Sequence, residues 1–357
     1  MRVTLKLVRA VFVVLGLLPL SAVAQTYLSF DAPGAGTGAI QGTIPQALND
    51  VGLITGYYRD SNYVNHGFLR EKDGKIVTFD ATGAGTAANQ GTLPMAINQA
   101  GWVAGLFLDS NNYPHGFFRE ANGVLTTFDA PGAVGTSACC IDGGDRVVGG
   151  YSDASGDVYG YQRQKDGTLV SFEVPGTTKT APKGVNPGGQ IAGFYAGWDG
   201  LTHGFLRNSD GAFALFDPEG SRSTQPRAIS AGGVVVGYYS DAEGNQHGFV
   251  RQREGTITSF DVPGSIFSPP PESVNIEGEM VGSYEPSSEA RVGEHGDTVG
   301  CFGQPVSGFV RDNAGTIVSF SAFGSLVTEP AGVNSAGNIT GSYVDGSCVV
   351  HGFLREP

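Results

Sequence analysis

The chain has 357 residues, with 56 Gly, 19 Pro, 15% charged and 40% apolar residues, a composition typical of a packed, turn-rich fold rather than a coiled coil or a disordered tail. Its net charge of −13 disfavours phosphate backbones and anionic lipids, and we exclude nucleic acid as a ligand. Four Cys are too few for a disulfide scaffold, so a hydrophobic core must hold the fold together.

Residues 1–24 have the pattern of a secretory signal peptide. Arg2, Lys6 and Arg9 precede an apolar run, and small residues end the segment at Ala22 and Ala24. The run is too short for a comfortable membrane span, and no later stretch qualifies. We therefore predict cleavage near Ala24, a secreted or periplasmic protein without membrane insertion, and a mature chain of 25–357. The mature chain would keep 18 Lys and Arg against 34 Asp and Glu, a net charge of −16.

One sequence unit then recurs seven times. Its clearest anchor is His-Gly-Phe-x-Arg, which starts at His66, His115, His203, His247 and His351, with variants at Tyr159 and Ser307. Each copy predicts four short strands, A to D, from runs rich in β-branched and aromatic residues with Asp, Asn and Gly between them. In the first copy these strands are roughly 46–49, 53–58, 65–70 and 75–80, and no segment shows a sustained helical period.

These repeats predict an all-β fold, a seven-bladed β-propeller of four-stranded blades in one domain. Strand D carries large apolar residues on both faces, so each sheet must be covered on both sides, as in stacked blades of about 44 residues. The seventh copy ends without a strand D, and residues 27–31 have the missing pattern. We expect this N-terminal strand to pair into the last blade and close the ring. An open solenoid, the alternative, would need capping units, and none is visible.

Variation in loop length falls on one face of this propeller. The A–B and C–D turns have constant lengths, whereas two D–A connections are longer than the rest. The B–C connection of the sixth copy carries an insertion at 286–305. D–A and B–C connections share one face of a propeller, which we call the variable face. Binding residues concentrate on variable loops carried by a rigid scaffold.

The anchor histidines are predicted to be structural. Each meets an Asp across the C–D hairpin, and the two copies without His also lack this Asp, so a His–Asp hydrogen bond explains the pattern. The pairs lie too far apart to share one ion, so we predict no metal site and no cofactor. The pairs are His66/Asp80, His115/Asp129, His203/Asp217, His247/Asp261 and His351/Asp31.

Ligand-binding candidates are positions where one copy departs from the others. Lys183, Arg227 and Glu272 occupy one equivalent position in three consecutive copies, where the remaining copies are uncharged. We place this position near the channel mouth on the variable face, where it could hold a polar or anionic ligand or be ordinary solvated charge. Trp198 replaces a polar turn residue and suits stacking on a sugar ring. Further candidates on the same face are Tyr63 and Tyr113.

The insertion and the cysteines supply the remaining candidates. His295 is the only His outside the anchor and could form an acid/base pair with Glu294 or Asp297. Cys301 is predicted to form a disulfide with Cys348 that ties the insertion down. The adjacent Cys139 and Cys140 have two alternative roles: simple packing in the core or a strained vicinal disulfide.

The repeats resemble the bacterial extracellular HAF-type repeat. The stretch INQAGWVAG at 97–105, followed by His115-Gly116-Phe117, carries the resemblance, which extends over essentially the whole mature chain. The sequence departs from that pattern at Gly116, where the family has Ala, and at Arg119, where it often has Trp. The resemblance implies secretion and a propeller, and it supplies no active-site residues.

Two functions follow from this interpretation. The preferred one is a secreted, monomeric binding propeller with a glycan or another extracellular polymer or protein as ligand. The alternative is a polysaccharide lyase or glycosidase that uses Arg, Lys, Tyr or His at the channel mouth, since propellers host both kinds of function.

Overall fold

The computed structural model describes residues 25–267, 271–287 and 305–357, and this part of the chain is nearly all-β with one 3₁₀ turn at Ala322–Gly324. The N-terminal strand is β1 (Thr26–Phe30). The first repeat forms β2 (Gly42–Leu48), β3 (Ile54–Arg59), β4 (Asn65–Arg70) and β5 (Ile76–Phe79). The second forms β6 (Gly91–Ile97), β7 (Val103–Leu108), β8 (Pro114–Arg119) and β9 (Leu125–Phe128). The third forms β10 (Gly135–Ile141), β11 (Val147–Ser152), β12 (Val158–Arg163) and β13 (Leu169–Phe172).

The fourth repeat forms β14 (Thr180–Val185), β15 (Ile191–Ala196), β16 (Thr202–Arg207) and β17 (Phe213–Phe216). The fifth forms β18 (Ser223–Ile229), β19 (Val235–Ser240), β20 (Gln246–Arg251) and β21 (Ile257–Phe260). The sixth forms β22 (Ser265–Phe267), β23 (Pro271–Val274), β24 (Met280–Pro286), β25 (Ser307–Arg311) and β26 (Ile317–Phe320). The seventh forms β27 (Val327–Val333), β28 (Ile339–Val344) and β29 (Val350–Glu356). None of the helical turns in the described residues could cross a membrane.

Each repeat is an antiparallel meander in which strands pair with the next one along the chain, except that β22 and β23 of the sixth repeat both pair with β24. The first strand begins earlier than the sequence pattern indicated: β2 starts at Gly42, which pairs with Arg59, and not near residue 46. The pattern missed this start because it contains Gly42 and Pro45, which have low strand propensity. Tertiary pairing therefore decides the conformation there.

The N-terminal strand completes the last repeat. β1 pairs antiparallel with β29, and the register runs from Thr26 opposite Glu356 to Phe30 opposite Gly352. The Tyr27 ring packs at 6.4 Å from the ring of Phe320, measured between ring centroids. β1 therefore takes the place that the fourth strand has in the other repeats.

Consecutive repeats contact each other through their first strands and through buried asparagines. β2 packs beside β6, the same contact is repeated along the chain, and β27 also contacts β2. The Asn49 side-chain amide donates a hydrogen bond to the Asn98 carbonyl at 2.9 Å. The Asn334 amide donates in the same way to the Asn49 carbonyl at 3.3 Å. The last repeat is thus bonded to the first.

The core lies between the repeats. In each repeat, one residue of the second strand and one aromatic of the third strand are at most 1% exposed, and burying such a side chain contributes about 1.5–3 kcal/mol. The aromatic usually meets the fourth-strand ring of the preceding repeat edge-on, as Phe117 does with Phe79 at 6.2 Å. The pairs of buried residues are Ile54/Phe68, Val103/Phe117, Val147/Tyr161, Ile191/Phe205, Val235/Phe249, Met280/Phe309 and Ile339/Phe353.

The arginine and the glycine of the anchor both serve this packing. The Arg119 guanidinium lies 5.1 Å from the centroid of Phe79 in the preceding repeat, and Arg70 lies 5.0 Å from that of Phe30. A Cβ atom on Gly67 would come within 2.7 Å of the Phe79 ring, so the ring fits only over a glycine. The Arg and the Gly of the anchor motif are therefore explained by the packing of one repeat against the next.

Candidate functional site

A β-bulge in the first strand of every repeat presents one side chain. The pairing register shifts at the same place each time, and a bulge leaves its extra residue unpaired and re-aims the side chain. Because the first strands lie side by side, these side chains share one surface, which we call the inner surface. The bulge lies past the middle of the strand, as Gln46 does in β2. The charged candidates at this position therefore lie inside the strand and not beside the loops of the variable face, where we predicted them. The bulged residues are Gln46, Met95, Cys139, Lys183, Arg227, Glu272 and Ala331.

Two of the three charged candidates form an ion pair between repeats. Nη2 of Arg227 donates to both carboxylate oxygens of Glu272, at 2.9 and 2.8 Å. The two side chains are 31% and 33% exposed, so the pair is accessible from the inner surface. Charge-assisted hydrogen bonds of this kind fix the position of both partners. The pair therefore forms a rigid polar element at the boundary of the fifth and sixth repeats.

Lys183, the third candidate, lies beside this pair. Its Nζ is 5.6 Å from the centroid of the Phe194 ring, and Nζ of Lys179 is 5.3 Å from the same ring. Burial lowers the pKa of the Lys183 ammonium, and the charges of Arg227 and Lys179 lower it further. Within the described part of the chain, no carboxylate lies at ion-pair distance from either lysine.

On the other side of the ion pair the inner surface is acidic. Glu329 projects from β27; water reaches its side chain, but the surrounding protein leaves it poorly solvated. This burial raises the pKa of the Glu329 carboxyl, a hydrogen bond from Ser342 lowers it, and the charge of Glu272 raises it again. Burial raises the pKa of the Tyr238 hydroxyl as well, with Arg227 lowering it and Glu272 raising it. Cations in the fourth and fifth repeats thus face acids in the sixth and seventh.

Sequence comparison missed three members of this cluster: Lys179, Tyr238 and Glu329. Glu329 occupies the strand position that Ile44 has in the first repeat, two residues before the bulge. Glu329 carries a charge that the other repeats lack at this position, just as Glu272 carries an acidic charge that they lack at the bulge. The same internal comparison would have found Glu329 if the first strand had been predicted over its full length.

The third repeat contributes sulfur to the inner surface. The sulfur atoms of Cys139 and Cys140 are bonded to each other, so the vicinal disulfide occurs. Cys140 is also 6% exposed and packs against Val148 and Ile191. Both alternatives left open by the sequence, a disulfide and core packing, therefore hold for this pair.

The aromatic candidates on the variable face differ in how much of each ring is exposed. Trp198 is 85% exposed at the turn between β15 and β16, and its indole lies above Gly176. Tyr113 is 49% exposed. The Tyr63 hydroxyl donates to the Ala39 carbonyl at 3.2 Å, and Tyr63 is partly buried with a φ of 63°. Trp198 therefore presents the largest free ring face of the three.

The five anchor histidines each lie between two carboxylates. Nδ1 of each ring lies 2.7–2.9 Å from an oxygen of the Asp that the sequence pairs with it. Nε2 faces a second Asp from the B–C turn, such as Asp60 beside His66, at 3.2–3.8 Å. Asp60 also accepts the N–H of Val64 and so holds the turn. With both nitrogens engaged, these rings act in the scaffold. The pairs through Nδ1 are His66–Asp80, His115–Asp129, His203–Asp217, His247–Asp261 and His351–Asp31.

The aspartates of these pairs correct the predicted end of strand D. We placed Asp80 inside that strand and Asp31 inside the N-terminal strand, but β5 ends at Phe79 and β1 ends at Phe30. Each Asp follows its strand because the chain leaves the sheet for a turn there, and its side chain is 35–61% exposed. Pairs that are this exposed add little stability, so they orient the histidine rings without forming part of the core. The aspartates that lie beyond the strand end are Asp80, Asp129, Asp217, Asp261 and Asp31.

Candidates in the insertion lie outside the described residues. They are His295, Glu294, Asp297 and Cys301. Cys348 is disulfide-bonded, and its pairing with Cys301 stays a prediction.

No protein-family model and no curated protein matches this sequence. Solved structures match over most of its length. A streptogramin B lyase is 13% identical with a TM-score of 0.57, over 93% of this chain and 98% of that one. The lectin BP39L from Burkholderia pseudomallei is 11% identical with a TM-score of 0.53, over 86% and 95%. A puromycin hydrolase mutant is 12% identical with a TM-score of 0.54, over 87% of this chain and 53% of that one. At such identities the likeness defines the fold class alone, a propeller-like all-β protein.

Proposed function

We propose that this chain is a secreted, monomeric, seven-bladed β-propeller of the HAF-repeat type that binds an extracellular glycan. Ring closure is supported by the pairing of β1 with β29 and by the hydrogen bond from Asn334 to Asn49. The signal-peptide pattern of 1–24 supports export. In such a ring the inner surface lines the central channel.

The observation that carries the binding proposal is the clustering of unlike polar groups on one part of the inner surface. Arg227 and Glu272 offer fixed donors and acceptors, and Tyr238 adds a hydroxyl beside them. Phe194 supplies an aromatic ring in the same place. Convergent polar groups beside aromatic side chains are typical of small-ligand sites, and sugar rings match this combination. Trp198, on the same repeat as Phe194, offers a second stacking surface.

Retention on immobilised polysaccharides tests this proposal. The mature protein should be retarded by at least one polymer, and Glu272→Gln and Trp198→Ala should each reduce that retardation several-fold. The matched control is Val51→Ala, which removes an apolar side chain that is 52% exposed at an A–B turn, away from the variable face. Absence of retention on every polymer, or equal retention of all variants, would contradict binding at this site.

A second function, a glycosidase or lyase, is favoured by one observation. Glu272 is paired with a cation, whereas burial raises the pKa of Glu329 nearby. Two carboxyl groups in different electrostatic environments are an arrangement that general acid–base catalysis uses. New reducing ends, or absorbance from unsaturated products, would reveal turnover, and Glu329→Gln should abolish it. Retention without turnover would refute the enzyme and leave the binding protein.

A further inference from the structure

We propose that the glycan bound by the inner surface is acidic, and that Lys179 and Lys183, which share the Phe194 ring, bind a carboxylate or sulfate group on one of its sugars. This inference rests on the proposed glycan-binding function and specifies its ligand. It concerns one wall of the site, formed by the fourth repeat, which we call the lysine wall and define by Lys179, Lys183 and Phe194.

The lysine wall concentrates positive charge: in the part of the chain that the structure describes, neither lysine has a carboxylate at ion-pair distance, and the charge of Glu272 acts on Lys183 only from farther away. Nζ of Lys179 and Nζ of Lys183 lie 5.3 and 5.6 Å from one ring centroid, and Arg227 adds a third cation nearby. A cation over an aromatic ring is attracted to the ring face, but like charges around one ring also repel each other. Acids outnumber Lys and Arg by 34 to 21 in the whole chain, so carboxylate partners are abundant elsewhere. An anionic ligand would relieve the repulsion.

The fold does not require these lysines. Lys179 directly precedes β14 and bridges to Val158, in the position that Gly42 and Gly91 have before the paired threonine of the first two repeats. Lys183 holds the bulge position that Gln46 and Met95 have there. The Lys179 cation is therefore particular to the fourth repeat, whereas the bulge position of Lys183 carries a cation, Arg227, in the fifth repeat as well. Features that one copy adds to a repeated scaffold point to a ligand rather than to packing.

The surroundings favour a sugar that carries the anion over a free anion. Phe194 offers a flat apolar ring, and the Arg227–Glu272 pair offers fixed donors and acceptors for hydroxyl groups next to it. Glu272 and Glu329 on the opposite side would repel a second negative charge. One face of the site thus accepts an anion and the other rejects it, which would orient a pyranose carrying a single acidic group.

Titration calorimetry with defined polymers tests the inference. Wild type is compared with Lys179→Gln/Lys183→Gln and, as a fold-preserving rescue, with Lys179→Arg/Lys183→Arg. The control is Lys75→Gln, an exposed lysine paired with Glu71 at a C–D turn. The probes are polygalacturonate for the carboxylate, dextran sulfate for the sulfate, uncharged dextran and galactan, and inorganic phosphate alone. Thermal melts verify that each variant is folded.

We expect at least one acidic polymer to bind, with affinity that falls as salt rises. The Gln double variant should weaken it ten-fold or more, whereas the Arg double variant and Lys75→Gln should not. Equal binding by the Gln double variant, preference for a neutral polymer, or equal binding of phosphate alone would overturn the inference. Neutral polymers binding at the inner surface would leave the proposed function standing, whereas no polymer binding would overturn both.

Discussion

Removal of one ring, Phe30→Ala, tests whether the N-terminal strand is an integral part of the last repeat. Phe30 lies 6.2 Å from the Phe68 ring and beneath the Arg70 guanidinium, at 5.0 Å. The matched control is Phe79→Ala in the first repeat. Phe79 lies 6.2 Å from Phe117 and 5.1 Å from Arg119, so its contacts are almost the same.

The expected loss can be worked out from these contacts. A fully buried Phe→Ala change costs about 3–5 kcal/mol, and these half-buried rings should lose roughly half of that. The edge-to-face pair and the cation–π contact add about 1 kcal/mol together at partly exposed positions. We therefore expect both variants to lose about 2.5–3.5 kcal/mol of unfolding free energy.

Urea unfolding followed by far-UV circular dichroism measures both variants. The midpoints should fall by similar amounts with the urea slope unchanged, because a change in stability alone moves the midpoint. A stable Phe30→Ala beside a destabilised Phe79→Ala would refute the reasoning, since it would mean that β1 contributes nothing to the last repeat.

Three further outcomes are expected. Gly67→Ala should cost about 1–3 kcal/mol in the same urea assay, because the new Cβ would approach Phe79 to 2.7 Å; an unchanged midpoint would refute the stacking. Arg227→Ala should cost about 1–2 kcal/mol by leaving Glu272 unpaired in a partly exposed site, and Arg227→Ala/Glu272→Gln should recover part of this; no recovery would deny the coupling. For His203 and His247, burial lowers the pKa but hydrogen bonds to Asp outweigh it, so the pKa is raised above 6.5. Their contribution is then complete below pH 6.5 and is lost as the pH rises through the folded-state pKa, so His203→Gln/His247→Gln should flatten the thermal-melting profile on that limb. A profile identical to that of wild type would exclude this role.

Much of the scaffold could be predicted from the sequence because the seven repeats can be compared with one another. The all-β, propeller-like class followed from strand D, where residues such as Phe79 and Ile76 have to be buried on both faces of a sheet. The His–Asp pairs followed from the joint loss of His and Asp at Tyr159 and Glu173. Both features are local or repeat at a fixed spacing, so they can be recognised directly in the sequence.

The inner surface was less predictable because it depends on register. The bulge at Arg227 appears only when β18 is paired with β19. The position of the charged residues within the strand could therefore not be predicted from their spacing in the sequence. Lys179 directly precedes β14 and Glu329 lies near the start of β27, ahead of the segment in which the sequence pattern predicts the first strand. The contact between Asp60 and His66 also depends on the fold, because it joins the B–C turn to the third strand.

The most direct test of the central claim is the structure of the protein crystallised with an acidic oligosaccharide of the class that it binds best. We expect density on the inner surface, with the carboxylate or sulfate within about 4 Å of Nζ of Lys183 or Lys179 and the sugar ring against Phe194. Density confined to the variable face around Trp198, or to the opposite face, would contradict it.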